Sequence, residues 1–427
     1  MQLAGTIIAG AGARLLPPSI PYRFFFASGF YHLLGWVLLF MAAVQVPVFQ
    51  GGSGYTLASL HALTLGVFVM TAMGASLQIF PVVTGQSLKT LWPIRVASWL
   101  FIPGVGILIV GFGEGHTGAM TAGGLSLAVG LALYIYVILG LLTHASGFKV
   151  LITHFWLALV ALLALLLIGL AMIFDLLSID QDIAAATHGM IALFGFMGLL
   201  SMGFASVLVP MFALANAPSQ KSSLLVLALY CAGLLVCISA GLAGQRQIVV
   251  IGAAMMLLSA LAHVLSMNRV IKAGMKKKLG ISFILIRASW VAFPFSIAVG
   301  VAAISGVPFE PTLLVAGYLV VFGWLLTFVL GVQQQIMPFL AAMNASTAGN
   351  KPPRLSQLAR GLPLKIHAVC HFIAFAVVGI GIATDMESAV QAGATFGLVG
   401  AFAFLWFTTD VYRRMRTSSP KNERSQI

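Results

Sequence analysis

Residues 61–81 read HALTLGVFVMTAMGASLQIFP, in which a histidine opens an apolar run that ends Gln-Ile-Phe-Pro. The phrase returns as HGMIALFGFMGLLSMGFASVLVP at 188–210 and as YLVVFGWLLTFVLGVQQQIMP at 318–338. Each copy begins with a polar ring, passes a glycine and ends on a proline. The first polar residues are His61, His188 and Tyr318, the glycines are Gly66, Gly195 and Gly323, and the prolines are Pro81, Pro210 and Pro338.

Composition places the whole chain in a membrane. Hydrophobic residues make up 60% of its 427 residues and charged residues only 7%, and the mean hydropathy is +1.07. A soluble domain carries about 25% charged residues. Apolar runs of ~20 residues are long enough to cross a ~30 Å hydrocarbon core, where helices satisfy every backbone amide. We therefore predict an all-α integral membrane protein.

The apolar runs predict twelve transmembrane helices within one membrane domain, residues 24–412. Residues 1–23 form a cytoplasmic or interfacial lead-in without the basic start of a secretory signal, and residues 413–427 form a basic cytoplasmic tail. The predicted spans are 24–48, 57–82, 92–113, 117–143, 149–176, 183–211, 222–243, 247–266, 282–304, 311–340, 362–383 and 388–412.

The charges predict that both termini are cytoplasmic. With the N-terminus inside, every Lys and Arg except Arg246 falls in a cytoplasmic segment or at its boundary, including the loop at 268–280. Seven of the nine acidic residues then lie outside, which is the positive-inside pattern. The net charge of +13 thus indicates contact with anionic lipid heads rather than with nucleic acid. The outer acids are Glu114, Asp175, Asp180, Asp182, Glu310, Asp385 and Glu387.

Helices 2, 6 and 10 carry the three phrases and are four helices apart. We therefore expect three four-helix repeats, about 24–143, 149–266 and 282–412, around a pseudo-threefold axis normal to the membrane. The motifs YHLLGW, THFW and IRASW near the starts of helices 1, 5 and 9 give weaker support. The alternative is that glycine and proline are simply frequent in transmembrane helices.

Short motifs resemble the catalytic subunit of the heme-copper oxidases over about residues 24–412. LHALTLG and THGMIALFGFMGLLSMGF look like the His-x-x-x-x-Gly phrases of that family. PYRFFFASGFYHLLGW is similar to the NnrS family, and THFW and VLVPMF to poorly characterised bacterial relatives. The resemblance implies a multi-pass protein of the bacterial inner membrane that binds heme b, with copper as a second candidate, and that meets other respiratory or cytochrome subunits.

The family's ligand set is only partly present. The resemblance implies that His61 matches a low-spin heme ligand on helix 2, and that His188 matches a copper ligand on helix 6. Residues 224–240 lack the paired histidines of helix 7, and helix 10 has Tyr318 near the place of its heme ligands. A complete oxygen-reducing binuclear centre is therefore not expected.

The residues themselves suggest two candidate sites, because ionisable groups inside a membrane are usually functional. His61 and His188, with Tyr318 as a third member, would form a metal or heme site near the outer surface. His367 and His371 share one helix face and, with His32, form an inner candidate. The alternatives are histidines that bond neighbouring helices or lie at the interface.

Three functional classes remain open at this point. The first is a heme- or copper-binding protein in electron transfer, in the response to NO or O2, or in metal handling. The second is a cofactor-free transporter, although the absence of interior carboxylates argues against proton- or sodium-coupled transport. The third is a membrane subunit that docks a partner. The sequence leaves the oligomeric state open.

Overall fold

The computed structural model describes residues 14–88, 90–307, 311–347 and 355–418, and within these ranges every extended element is a helix. Twelve of these helices are long and apolar enough to cross a membrane, which confirms the predicted number. They are α1 (Ser19–Met41), α2 (Tyr55–Thr84), α3 (Trp92–Glu114), α4 (Thr117–Leu142), α5 (Lys149–Ile173), α6 (Gln181–Ala213), α7 (Gln220–Leu242), α8 (Arg246–Ala273), α9 (Ile281–Ile304), α10 (Thr312–Ala345), α11 (Gly361–Thr384) and α12 (Glu387–Thr417).

Helix α1 is shifted toward the N-terminus, since it ends at Met41 rather than at residue 48, and helix α12 is longer than predicted. Helix α1 begins at Ser19 although Pro21 follows, because the first turn of a helix tolerates proline. Helix α12 continues through Arg413 and Arg416, since a helix needs no apolar side chains once it leaves the hydrocarbon. The remaining predictions for 1–13, 419–427 and Glu310 lie outside the described residues.

Large apolar side chains cover the outside of the bundle. Trp99 is 75% exposed, Leu225 71% and Val291 70%. These side chains face outward from three different helices, α3, α7 and α9, so the apolar exposure surrounds the molecule rather than forming one patch. This surface is suited to lipid and fits a multi-pass membrane protein.

Helices α2, α6 and α10 lie at the centre of the bundle. Between 78% and 89% of their most apolar segments is buried, against 22–56% in the other nine long helices described. Each contains one wide π-helical segment: π1 (Thr64–Val69), π2 (Ile191–Gly198) and π3 (Leu319–Leu326). Segment π3 contacts both π1 and π2. Such segments inside α-helices are rare and are frequently found at functional sites.

The glycines of the three phrases explain how the central helices are packed. A methyl group added to Gly66, Gly195 or Gly323 would meet the side chain of Tyr31, Ala161 or Ala292 on α1, α5 or α9, respectively. A second glycine follows eight residues later in each phrase, with the proline seven residues beyond it. The second glycines are also in close contact with α1, α5 and α9; they are Gly74, Gly203 and Gly331.

The remaining helices form hairpins outside this centre. Helix α3 packs on α4, α7 on α8 and α11 on α12, and each of these pairs is in close contact through glycines. Helix α4 then contacts α5, α8 contacts α9, and α12 contacts α1. The described helices therefore close into a ring around α2, α6 and α10.

Candidate functional site: a buried histidine cluster

His32 on α1 and His367 and His371 on α11 come together in the interior. We call them the histidine cluster. The ring centroids of His32 and His367 are 6.0 Å apart, and those of His367 and His371 5.7 Å. All three side chains are buried, and so they are not the interfacial histidines of the alternative interpretation.

A tryptophan one turn along α1 fixes the tautomer of His32. The indole Nε1 of Trp36 donates to His32 Nε2 at 3.0 Å. Because an indole N–H only donates, His32 Nε2 accepts, and the proton of the neutral imidazole is on Nδ1. His32 therefore presents an N–H group at Nδ1, where no partner lies among the described residues.

The π-helical segment of α10 positions His371. The hydroxyl of Thr327 donates to the carbonyl of Phe322, five residues earlier, at 2.7 Å. The same hydroxyl oxygen lies 2.7 Å from His371 Nε2. Because its proton is used on the carbonyl, the hydroxyl accepts from His371, which is therefore protonated at Nε2.

Gln334 on α10 holds His367. Its side-chain amide lies 2.9 Å from His367 Nδ1. The neighbouring glutamines bond elsewhere: Gln333 accepts from Thr71 on α2, and Gln335 donates to Ser282 on α9. Successive residues of a helix point about 100° apart, so three consecutive glutamines reach three different helices.

Three unpaired polar atoms collect at this cluster. His32 Nδ1, His367 Nε2 and Gln334 Oε1 are buried and have no hydrogen-bond partner among the described residues. A buried polar group without a partner costs about 1–3 kcal/mol, and the great majority of such groups in proteins are paired. Their concentration at one place indicates a site for a bound group.

Aromatic rings surround the cluster and separate it from water. The Phe404 ring lies 5.8 Å from the His32 ring and 5.0 Å from the His367 ring. Phe322 packs on Trp36 at 5.4 Å. The site is thus an apolar enclosure with a few fixed polar groups, as is usual for cofactor and ligand sites.

His61 and His188 lie near the starts of α2 and α6 and near each other, within range of electrostatic interaction. His61 Nδ1 donates to the Leu57 carbonyl at 3.0 Å, so its Nε2 carries a lone pair. The His61 ring packs on Phe112 of α3 at 4.5 Å. His188 packs against Gly169 on α5, and its Nδ1 has no partner among the described residues.

Tyr318 does not direct its hydroxyl toward these two histidines. The hydroxyl donates to the Phe375 carbonyl on α11 at 2.8 Å. The ring stacks on Phe322 and Phe375 with centroids 4.8 and 5.4 Å away. Tyr318 therefore acts in packing α10 on α11.

No three His, Cys, Asp or Glu side chains among the described residues converge in a way that would hold a metal ion. The residues consequently do not fit a three-ligand copper centre. No sequence pattern predicted the partners of the histidine cluster, namely Trp36, Thr327 and Phe404. The i,i+4 spacing of His32 and Trp36, which predicts that the two side chains lie on one helix face, is the only one of these contacts that can be seen in the sequence.

Comparison with known proteins adds no family assignment. No protein-family model matches the chain, and a search of curated proteins gives no match. The function is therefore inferred from the residues of this chain.

Gln78 on α2 is a second buried polar group with incomplete bonding. Its side chain is 0% exposed, and neither amide atom has a partner among the described residues. It borders a small cavity of about 20 Å³ that is otherwise apolar and lies between α2, α6 and α10. That is room for about one water, which offers the amide fewer hydrogen bonds than it can make.

We expect Gln78→Leu to stabilise the protein, because it removes two poorly paired amide atoms from the interior. The gain should be about 1–3 kcal/mol in the free energy of unfolding, measured by denaturant titration in detergent. Gln333→Leu is the matched control, and it should destabilise because it removes the buried hydrogen bond that Gln333 accepts from the Thr71 hydroxyl. Equal effects of the two variants would contradict the assignment of Gln78 as poorly paired.

Proposed function

We propose that this chain is a heme-binding protein of the bacterial inner membrane and that the histidine cluster holds the heme. One observation carries the proposal: three buried imidazoles from α1 and α11, two with unpaired ring nitrogens, meet in an aromatic enclosure. Imidazole is the most common protein ligand of heme iron, and heme b is held by such side chains without covalent attachment. The donor chemistry of the cluster fits this group.

His367 is the proposed ligand. Amide oxygen and nitrogen are assigned from the hydrogen-bond network, so the Gln334 amide can be turned to accept from Nδ1–H of His367. Nε2 of His367 then carries the lone pair that would coordinate the heme iron. Metal-bound histidines usually donate their other ring N–H to a neighbouring residue, which fixes the tautomer of the ligand.

His32 and His371 have other roles in this proposal. Trp36 holds His32 with its proton on Nδ1, so His32 offers a hydrogen-bond donor rather than a lone pair. Thr327 engages Nε2 of His371. A heme held by one histidine would be open to a diatomic gas, whereas two histidine ligands would suit electron transfer. Because His367 is the one ligand assigned, NO or O2 binding is favoured over electron transfer.

The same proposal includes three four-helix repeats with both termini in the cytoplasm. The repeats are supported by the common Gly-Gly-Pro spacing of α2, α6 and α10, by their π-helical segments and by the matching contacts with α1, α5 and α9. The distribution of Lys and Arg supports the orientation. Fused after Arg416, a reporter that works only in the cytoplasm should be active. A reporter that works only outside the cytoplasm should be inactive at the same position.

The resemblance to the heme-copper oxidases is retained here for architecture and heme only. The described residues do not supply three converging copper ligands, so no step of oxygen reduction is assigned to this chain. The cluster also differs from the ligand positions that the resemblance implied, because His32 and His367 lie on α1 and α11 rather than on helices 2 and 10.

Absorption spectroscopy of the purified protein tests the proposal. Protein expressed with added heme precursor and purified in detergent should show a Soret band and, after dithionite, an α band, with about one heme b per chain by pyridine hemochrome. NO added to the reduced protein should shift the Soret band. A folded, monodisperse and colourless protein would contradict the proposal. It would favour a cofactor-free transporter or docking subunit, and stoichiometric copper without heme would favour metal handling.

A further inference from the structure

A groove on the lipid-facing side of the first four helices belongs to no site described so far. Its volume is about 650 Å³, within the ~300–1,000 Å³ range of small-molecule sites. Apolar side chains of α1 and α3 line most of it, and Tyr55, Glu114 and Ala119 lie at one end. We call it the Glu114 groove; its apolar lining includes Leu34, Leu38, Met41, Ile107 and Val110.

Two glycines of α3 give the groove its depth. Gly106 and Gly113 line it, and a methyl group on either would lie 3.2 Å from the Tyr31 hydroxyl or the Tyr55 ring, respectively. Because glycine has no side chain, an apolar channel runs along the helix at these positions. The channel is open to the bilayer and could hold an acyl chain.

The polar end of the groove carries a negative charge. The Tyr55 hydroxyl donates to Glu114 Oε1 at 2.7 Å. Glu114 is exposed, and among the described residues no Lys or Arg forms an ion pair with it. Because a carboxylate accepts several hydrogen bonds, Glu114 has room for a second donor, whereas the only proton of the Tyr55 hydroxyl is already used.

A hydrogen-bond donor follows two residues after this carboxylate in the chain. His116 Nδ1 accepts from the backbone N–H of Ala119 at 3.1 Å, as the cap of α4. The proton of its neutral ring is therefore on Nε2, which no described residue engages. The turn GEGHTG at 113–118 thus places a carboxylate and an N–H donor two residues apart, next to an apolar groove.

We propose that the Glu114 groove binds a phospholipid with a primary ammonium head group, of the phosphatidylethanolamine type. The ammonium group binds Glu114, the phosphate accepts from His116 Nε2–H, and an acyl chain lies along Gly106 and Gly113. A quinone fits less well, because its carbonyls only accept hydrogen bonds and so offer nothing to the Glu114 carboxylate, which also only accepts. A phosphatidylglycerol head group has no ammonium group and therefore cannot form an ion pair with Glu114. This site does not depend on the heme proposal.

Native mass spectrometry of delipidated protein, titrated with phosphatidylethanolamine or phosphatidylglycerol of identical chains, tests the site. We expect phosphatidylethanolamine to bind about tenfold more tightly at one site, since a hydrogen bond to a charged group has about that effect on affinity. Glu114→Gln should remove most of this preference. Val110→Trp, which fills the groove, should weaken binding of both lipids.

Asp385→Asn is the matched control, because Asp385 directly follows α11 as Glu114 ends α3, but lines no part of the groove. It should leave the preference unchanged, and each variant should keep the thermal midpoint of the parent protein. Equal binding of the two lipids, an equal loss in Asp385→Asn, or a quinone retained through delipidation in place of lipid would overturn the proposal.

Discussion

Replacing His367 by alanine is expected to abolish heme binding, with Soret absorbance falling to the background of heme-free protein. The reason is that His367 is the only member of the histidine cluster that can be left with a free Nε2 lone pair while its other nitrogen is held by a neighbour. Gln334→Leu, which removes that neighbour, should weaken heme binding by about 10–100-fold. Both effects are measured by heme titration of the apoprotein.

Rescue and control variants separate loss of a ligand from loss of the fold. Imidazole added to the His367→Ala protein should restore part of the Soret band, since it can enter the space that the side chain vacates. His144→Ala is the control, because His144 is exposed and its side chain bonds only Thr143 and Gly140 at the end of α4. If His61→Ala rather than His367→Ala removes the heme, the site is at the His61–His188 pair, and the assignment to α11 is wrong.

Gly123→Ala is expected to destabilise the protein strongly. An added methyl group would lie 2.5 Å from the backbone nitrogen of Leu108 and 2.8 Å from its Cα. Backbone atoms cannot turn away as a side chain does, so α3 and α4 would have to separate. Overpacking of this kind costs about 1–3 kcal/mol, occasionally more, and should appear as a lower midpoint of thermal unfolding in detergent.

Gly140→Ala provides the comparison on the same helix. No atom lies within 4 Å of a methyl group placed on Gly140, and alanine is favoured over glycine in a helix by up to about 1 kcal/mol. The same substitution should therefore be neutral or slightly stabilising here. Equal losses at Gly123 and Gly140 would show that helix propensity rather than the α3–α4 contact determines the effect.

The sequence predicted some features of the candidate site and not others. Spacing alone places His367 and His371 on one face of a helix, and the position of His188 in α6 follows from the length of its apolar run. The grouping of His32 with this pair depends on the contact of α12 with α1, which joins residues more than 300 positions apart. No local pattern carries that information.

The expected triad of His61, His188 and Tyr318 illustrates the same limit. Tyr318 and His61 each stand five residues before the first glycine of their phrase, but His188 stands seven residues before Gly195. A shift of two residues turns a side chain by about 200° around the helix. His188 consequently packs on α5, whereas His61 and Tyr318 pack on α3 and α11.

The sequence by itself determined the class of protein, the number of long helices and most of their boundaries. Hydrocarbon requires apolar side chains and internally bonded backbone over about 20 residues, and both requirements are visible in a linear sequence. The tertiary structure alone decided which polar groups meet and which remain unpaired. Those properties depend on helix rotation and on contacts between distant segments, such as those that place Trp36, Thr327 and Gln334 around three histidines.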